Sequence, residues 1–184
     1  QDERLQALAK TINSAKIVPA AVEFVDIAGI VRGASTGEGL GNKFLANIRE
    51  TDAILEMVRI FPLKSETGDD IMHVYGDIDP LRDIKVINLE LILSDLQLCE
   101  NAIPKLEKQL KAKKEAPQII AALHKAKEHL DKTLPLRTLS LTKEEEEYLQ
   151  PYPFLTKKKV IYAANVSESD LPGMENPYVA QVRE

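Results

Sequence analysis

The sequence predicts an α/β fold interrupted by an all-helical insertion. Apolar runs at residues 22–25, 53–61 and 160–164 have strand character, and the first and last of them lead into polar loops. Helical periodicity fills much of the chain between them. In the middle, Leu89, Ile92, Leu96, Cys99, Ile103, Leu106 and Leu110 follow one another at alternating spacings of 3 and 4, which is a heptad seam.

Taken in order, residues 3–12 place Leu5, Leu8 and Ile12 at helical spacing. Residues 17–28 then read as an extended segment ending in a buried strand, "VEFVDIA", and a glycine-rich loop follows it. Residues 40–50 read as a helix with Leu40, Phe44 and Ile48 on one face, and residues 53–61 as a second buried strand. Residues 62–70 form a polar loop of the kind that normally runs over a surface. The heptad seam and a second helical stretch over 117–134, with Ile120, Leu123 and Leu130 on one side, predict an antiparallel helical hairpin whose tip is "KAKKEAP". Pro104 lies inside the first of these helices and predicts a kink or break near 100–104. Pro135 ends the second. Thr142 followed by Glu145 is a capping-box signature for a further short helix, and "KKVIYAANVSE" returns to strand character.

Composition sets limits on function. The chain has 184 residues, 44% hydrophobic and 29% charged, with a net charge of −5. That balance suits a domain with a real core and excludes a generic nucleic-acid binder, so any basic partner surface must be local. A single cysteine, Cys99, excludes a disulfide framework and points to a reducing compartment. No apolar run approaches the ~18 residues of a membrane span. The chain opens on Gln1 rather than Met and ends at Glu184 within a helical pattern, so it reads as an internal segment of a longer protein.

Two constellations carry chemistry. Asp26 closes an apolar run and Gly29 follows three residues later. In such a DxxG the carboxylate can hold the water shell of Mg²⁺, and the glycine brings a backbone N–H against a terminal phosphate. The plainer reading is an Asp ending a strand in a turn. The second constellation is Asn165 and Glu168, just past another apolar run. The Asn amide can hydrogen-bond a purine edge, and the acid can accept from ring or exocyclic N–H groups. The plainer reading here is an Asn–Ser turn with Ser167 or Ser169 capping a helix. Parallel α/β sheets carry ligands at the carboxyl ends of their strands, where both constellations fall. His73, His124 and His129 lack the spacing of a metal site, and Cys99 on the seam reads as a buried hydrophobe.

The two motifs stand about 140 residues apart with the helical hairpin between them. With "FVDIAGIVRGASTGEGLGNKFLANIRETDAI", "HVYGDIDPLRDIKVIN", "FLTKKKVIYAANVSE" and "NPYVAQVRE", the chain resembles the YchF family of Obg-related (TRAFAC) P-loop NTPases over essentially its whole length. The resemblance implies a partial Ras-like P-loop NTPase domain with an inserted antiparallel α-helical coiled-coil hairpin. Residues 1–85 would hold the DxxG and a switch-II-like loop, 86–135 the insertion, and 136–184 the return with the base-recognition motif. It assigns Asp26 to Mg²⁺ through water, Asp26 and Gly29 to the phosphates, and Asn165, Val166 and Glu168 to the base. Gly33, Gly37, Gly39 and Gly41 become hinges of a phosphate-sensing loop.

The substrate implied is ATP, preferred or accepted alongside GTP. Where GTPases have Asn, Lys, a variable residue and Asp, this chain has Asn165, Val166, Ser167 and the longer Glu168 with no lysine, which weakens a guanine-specific clamp. Ile30 occupies the position of the usual water-orienting Gln, and Ser35 stands where some members have a histidine, so the catalytic group stays unassigned and slow basal turnover is expected. The family also implies ribosome association in the cytoplasm and a TGS domain beyond this chain. Lys105, Lys108, Lys111, Lys113 and Lys114 near the hairpin tip are candidates for rRNA contact. A hairpin favours a monomer over a coiled-coil dimer. GxxxxGK[ST] does not occur in the 184 residues and is expected before Gln1, so the chain alone is expected to be inactive and to bind nucleotide poorly. The rival readings are a nucleotide-free interaction module that works through its hairpin, and a dimerising coiled-coil scaffold.

Overall fold

The computed structural model describes residues 2–27, 40–61, 77–109, 116–171 and 176–183, with the backbone alone at 40–42, 109 and 116. In chain order the elements are α1 (Glu3–Thr11), α2 (Leu40–Arg49), β1 (Ala53–Arg59), α3 (Pro80–Gln109), α4 (Ala116–Asp131), α5 (Lys143–Leu149), β2 (Lys159–Asn165) and α6 (Pro177–Arg183). Short 3₁₀ turns lie at Leu136–Thr138 and Glu168–Asp170.

The strands pair in parallel, in register from Ala53 opposite Lys159 to Arg59 opposite Asn165. A parallel pair requires a long crossover, and here α3, α4 and α5 all lie on it. Alternation along β1 fixes the faces. Val58 is buried and Ile54 half-buried on the side that α2, α3 and α6 cover, while Leu55 and Met57 on the other side remain 47% and 65% exposed. The expectation of a buried second strand is therefore corrected to a half-buried one.

Helix starts follow local chemistry. Asp79 accepts from the Arg82 amide at 2.9 Å ahead of Pro80, and the Asn176 side chain accepts from the Tyr178 amide at 2.9 Å ahead of Pro177. Each pairs a capping acceptor with a proline at the first helical position, where its missing N–H costs nothing. At α5 the capping box forms as the sequence predicts: Glu145 N–H donates to Thr142 Oγ1 at 3.2 Å and Thr142 N–H to the Glu145 carboxylate at 2.8 Å.

The largest cluster joins Ile92, Cys99 and Ile103 of α3 to Ala122, Leu123, Ala126 and Leu130 of α4, closed by Leu136, Leu149 and Phe154. Leu96 and Leu106 pack against it, so most of the heptad seam is used. Leu89 is not part of it, being 39% exposed, and Leu110 lies outside the described residues. The break expected near 100–104 is absent: α3 runs unbroken through Pro104. Pro104 and Glu100 are both exposed, so the carbonyl that loses its helical partner there can turn to water.

The extended segment is the main correction. Residues 17–27 form no strand, and Val22, Phe24 and Val25 are 78%, 76% and 57% exposed. A strand exists only through its ladder, and among the described residues nothing pairs with this segment. The apolar face of α1 is likewise uncovered, with Leu8 57% and Ile12 70% exposed.

One polar junction ties these parts together. Asp95 of α3 is fully buried and accepts from Leu155 N–H at 2.9 Å, Thr156 N–H at 2.8 Å and Thr156 Oγ1–H at 2.7 Å. Thr156 in turn accepts from the Leu136 amide at its hydroxyl (3.1 Å) and from the Arg137 amide at its carbonyl (3.0 Å). Lys158 donates to the Arg49 carbonyl at 3.2 Å and to the Thr51 carbonyl, so a cation sits on the C-terminus of α2. Arg49 Nη2 donates to Ser94 Oγ at 2.7 Å. The end of α2, the middle of α3 and the turn entering β2 are thus fixed to one another.

Candidate functional site

The carboxyl ends of β1 and β2 lie side by side. The last ladder pair is Arg59 with Asn165, and the chain stays joined one residue further, where Ile60 N–H donates to Asn165 O at 2.8 Å. Beyond Asn165, Val166 turns inward and packs with Ala164 against Val58, Ile60 and Val179. The 3₁₀ turn over Glu168–Asp170 follows, with Leu171 N–H donating to Glu168 O at 3.1 Å. Asn176 Nδ2 donates to Asp170 Oδ2 at 3.1 Å, which pins the turn to the start of α6. Ser167 stands at the N-terminal position of this turn but makes no side-chain capping bond.

Asn165 and Glu168 are both exposed, and neither side chain carries a hydrogen bond or ion pair among the described residues. Their polar atoms are therefore available at the edge where parallel sheets bind ligands. Asp26 is also exposed and without a partner among those residues. Its neighbour Ile27 packs against Leu45, Ile48, Leu91 and Leu155, a different cluster from the one that holds Val166. Asn165, Val166 and Glu168 thus share one turn, and Ile27 beside Asp26 packs in a cluster that Val166 does not join. Gly41 lies in the first turn of α2, and Lys105 and Lys108 are exposed near the end of α3. Gly29, Ile30, Gly33, Ser35, Gly37, Gly39, Lys111, Lys113 and Lys114 lie outside the described residues.

Two residues at this edge escaped the sequence reading. Arg59 donates from Nε to the Phe61 carbonyl at 3.3 Å, and its guanidinium carbon stands 4.7 Å from the Phe61 ring centroid. The signal available in the sequence was a lone arginine ending an apolar strand. Deeper in the sheet, burial pushes the Glu56 carboxyl up to about 7, against the pull of Arg137 and with help from Asp83. Burial likewise pushes the Cys99 thiol up to about 12, which leaves it inert as a nucleophile.

An exposed carboxylate with free oxygens suits a hard cation such as Mg²⁺, and Asp26 meets that requirement. Among the described residues no group of three or more His, Cys, Asp or Glu is placed to form a metal cage. No described helix is long and apolar enough to cross a membrane.

Comparison with known proteins identifies the family. A family model for 50S ribosome-binding GTPases matches residues 5–140. The ribosome-binding ATPase YchF of Haemophilus influenzae is 51% identical over 185 residues, covering 100% of this chain and 49% of that protein. The protein of the same name from Bacillus subtilis is 46% identical over 187 residues, again covering 100% of this chain and 49% of its own length. The solved structure of the Schizosaccharomyces pombe YchF GTPase superposes with a TM-score of 0.77 at 34% identity, over 100% of this chain and 49% of that one. The fold is that of an α/β P-loop GTPase-like protein. The chain belongs to the YchF family of Obg-related P-loop NTPases, and it spans about half the length of the relatives it matches.

Proposed function

We propose that this chain supplies the base-recognition and phosphate-sensing parts of a ribosome-associated nucleotide hydrolase that prefers ATP or accepts it alongside GTP. The observation that carries the reading is the pair Asn165 and Glu168, exposed and without partners among the described residues at the carboxyl end of a parallel strand. Asn165 would bond the base edge with its amide, and Glu168 would accept from N–H groups of the base. Val166 anchors the turn in the core between them. Relatives named ribosome-binding ATPases support the substrate and the partner.

Asp26 would hold Mg²⁺ through water, with Gly29 on the terminal phosphate and Gly33, Gly37 and Gly39 hinging the loop between them and α2, whose first turn holds Gly41. The metal would supply charge neutralisation at the phosphates. Ile30 cannot orient water, so turnover depends on another group or a partner. This chain lacks GxxxxGK[ST], and on its own it is expected to be inactive and to bind nucleotide poorly.

The packing of α3 on α4 within one chain supports an antiparallel coiled-coil hairpin and a monomer rather than a coiled-coil dimer. Lys105 and Lys108, exposed and without ion pairs among the described residues, support a basic rRNA-contacting surface shared with Lys111, Lys113 and Lys114. A cytoplasmic location follows from a ribosomal partner.

The reading is tested by exchanging the recognition residues in the full-length protein. Val166→Lys with Glu168→Asp should shift preference from ATP toward GTP, read as the ratio of the two dissociation constants. An unchanged ratio removes the proposed role of Glu168. Co-sedimentation with ribosomes should weaken when Lys105 and Lys108 are replaced by Glu, and unchanged co-sedimentation removes the basic surface from the contact.

A further inference from the structure

We propose that Arg59 is a ligand-contacting residue: beside Asn165, its Nη2 donates to a hydrogen-bond acceptor on the nucleoside part of the bound nucleotide. The inference deepens the nucleotide reading above and rests on it. Arg59 and Asn165 are the last in-register pair of the parallel ladder, and in-register neighbours project on the same face of a sheet. The two side chains therefore leave the sheet together, at its carboxyl edge.

The guanidinium is held in place before any ligand arrives. Its Nε bonds the Phe61 carbonyl at 3.3 Å, and its plane stands over the Phe61 ring at 4.7 Å. Nη2 is left buried, with no acceptor among the described residues. A buried charged donor without an acceptor is a rare feature of native structures, and it marks a place where a partner is supplied from elsewhere. A residue kept only to pack on Phe61 would need its stem and not a second buried nitrogen.

The position selects the partner. Arg59 is the ladder neighbour of the residue proposed to read the base, whereas the phosphates are assigned above to Asp26. A ring nitrogen, a base carbonyl or a ribose hydroxyl offers the required acceptor.

The test uses the full-length protein, with ATP, ADP and AMP as probes in equilibrium titrations. Arg59→Met keeps an unbranched stem over Phe61 and removes every donor. Arg59→Lys keeps the charge and removes the fork. The expected result is binding weaker by about tenfold or more in both variants, by the same factor for all three nucleotides. Wild-type affinity in both variants overturns the proposal. So does a loss that grows with the number of phosphates, which would make the acceptor a phosphate oxygen. If the wild-type protein binds none of the three, the nucleotide reading itself falls.

Discussion

Replacing Asp95 with alanine removes the acceptor of three hydrogen bonds at once, at 2.9, 2.8 and 2.7 Å. Asp95, Leu155 and Thr156 are all fully buried, so water cannot take over. Two backbone amides are stranded, and each buried unsatisfied group costs about 1–3 kcal/mol. An offset comes from the carboxylate itself. Burial raises its pKa despite the three donors, so its desolvation penalty is relieved when it is removed. The net expectation is a loss of about 3 kcal/mol. Urea unfolding followed by far-ultraviolet circular dichroism reads it as a lower midpoint at unchanged slope. Thr156→Val, which loses one donor to Asp95 and one acceptor for Leu136, should cost about 1–2 kcal/mol, and the double variant less than the sum. A loss below about 1 kcal/mol for Asp95→Ala would refute the view that this junction holds the parts together.

Further outcomes follow from individual residues. Glu56 has a folded pKa of about 7, above its unfolded value, so its protonated form favours the fold. The chain should be most stable with respect to this group below about pH 4.5 and lose on the order of 2 kcal/mol between there and about pH 7. Glu56→Gln should flatten that slope in urea titrations across the range. Thr142→Ala breaks the capping box of α5 and should lower stability by about 1 kcal/mol, seen as a shift in melting temperature. Lys158→Ala removes the cation from the end of α2 and should speed amide exchange in Leu40–Arg49 more than in α4; equal protection of Leu40–Arg49 in the variant and the wild type would show that this contact is idle.

The helices and the capping box were legible because their signals are local. Periodicity named Ile92, Cys99 and Ile103 as one face, and Thr142 with Glu145 is written within four residues. The turn after β2 was legible in the same way, as Asn165 and Glu168 stand just beyond an apolar run. The segment at 17–27 was misread because a strand depends on a partner, and apolar composition says nothing of whether one is present. The helix runs on through Pro104 because the cost of a proline there depends on which side of the helix it faces. Asp95 and Arg59 were silent in the sequence: one acts across some 60 residues of chain, and the other matters because of its register with Asn165.

The most direct test of the nucleotide reading is calorimetric titration of the full-length protein with ATP and GTP, with and without Asn165→Ala. ATP binding at least as tight as GTP binding, with both weakened by Asn165→Ala, is the expected result. Binding of neither nucleotide by the wild type, or wild-type binding by the Asn165→Ala protein, would contradict it.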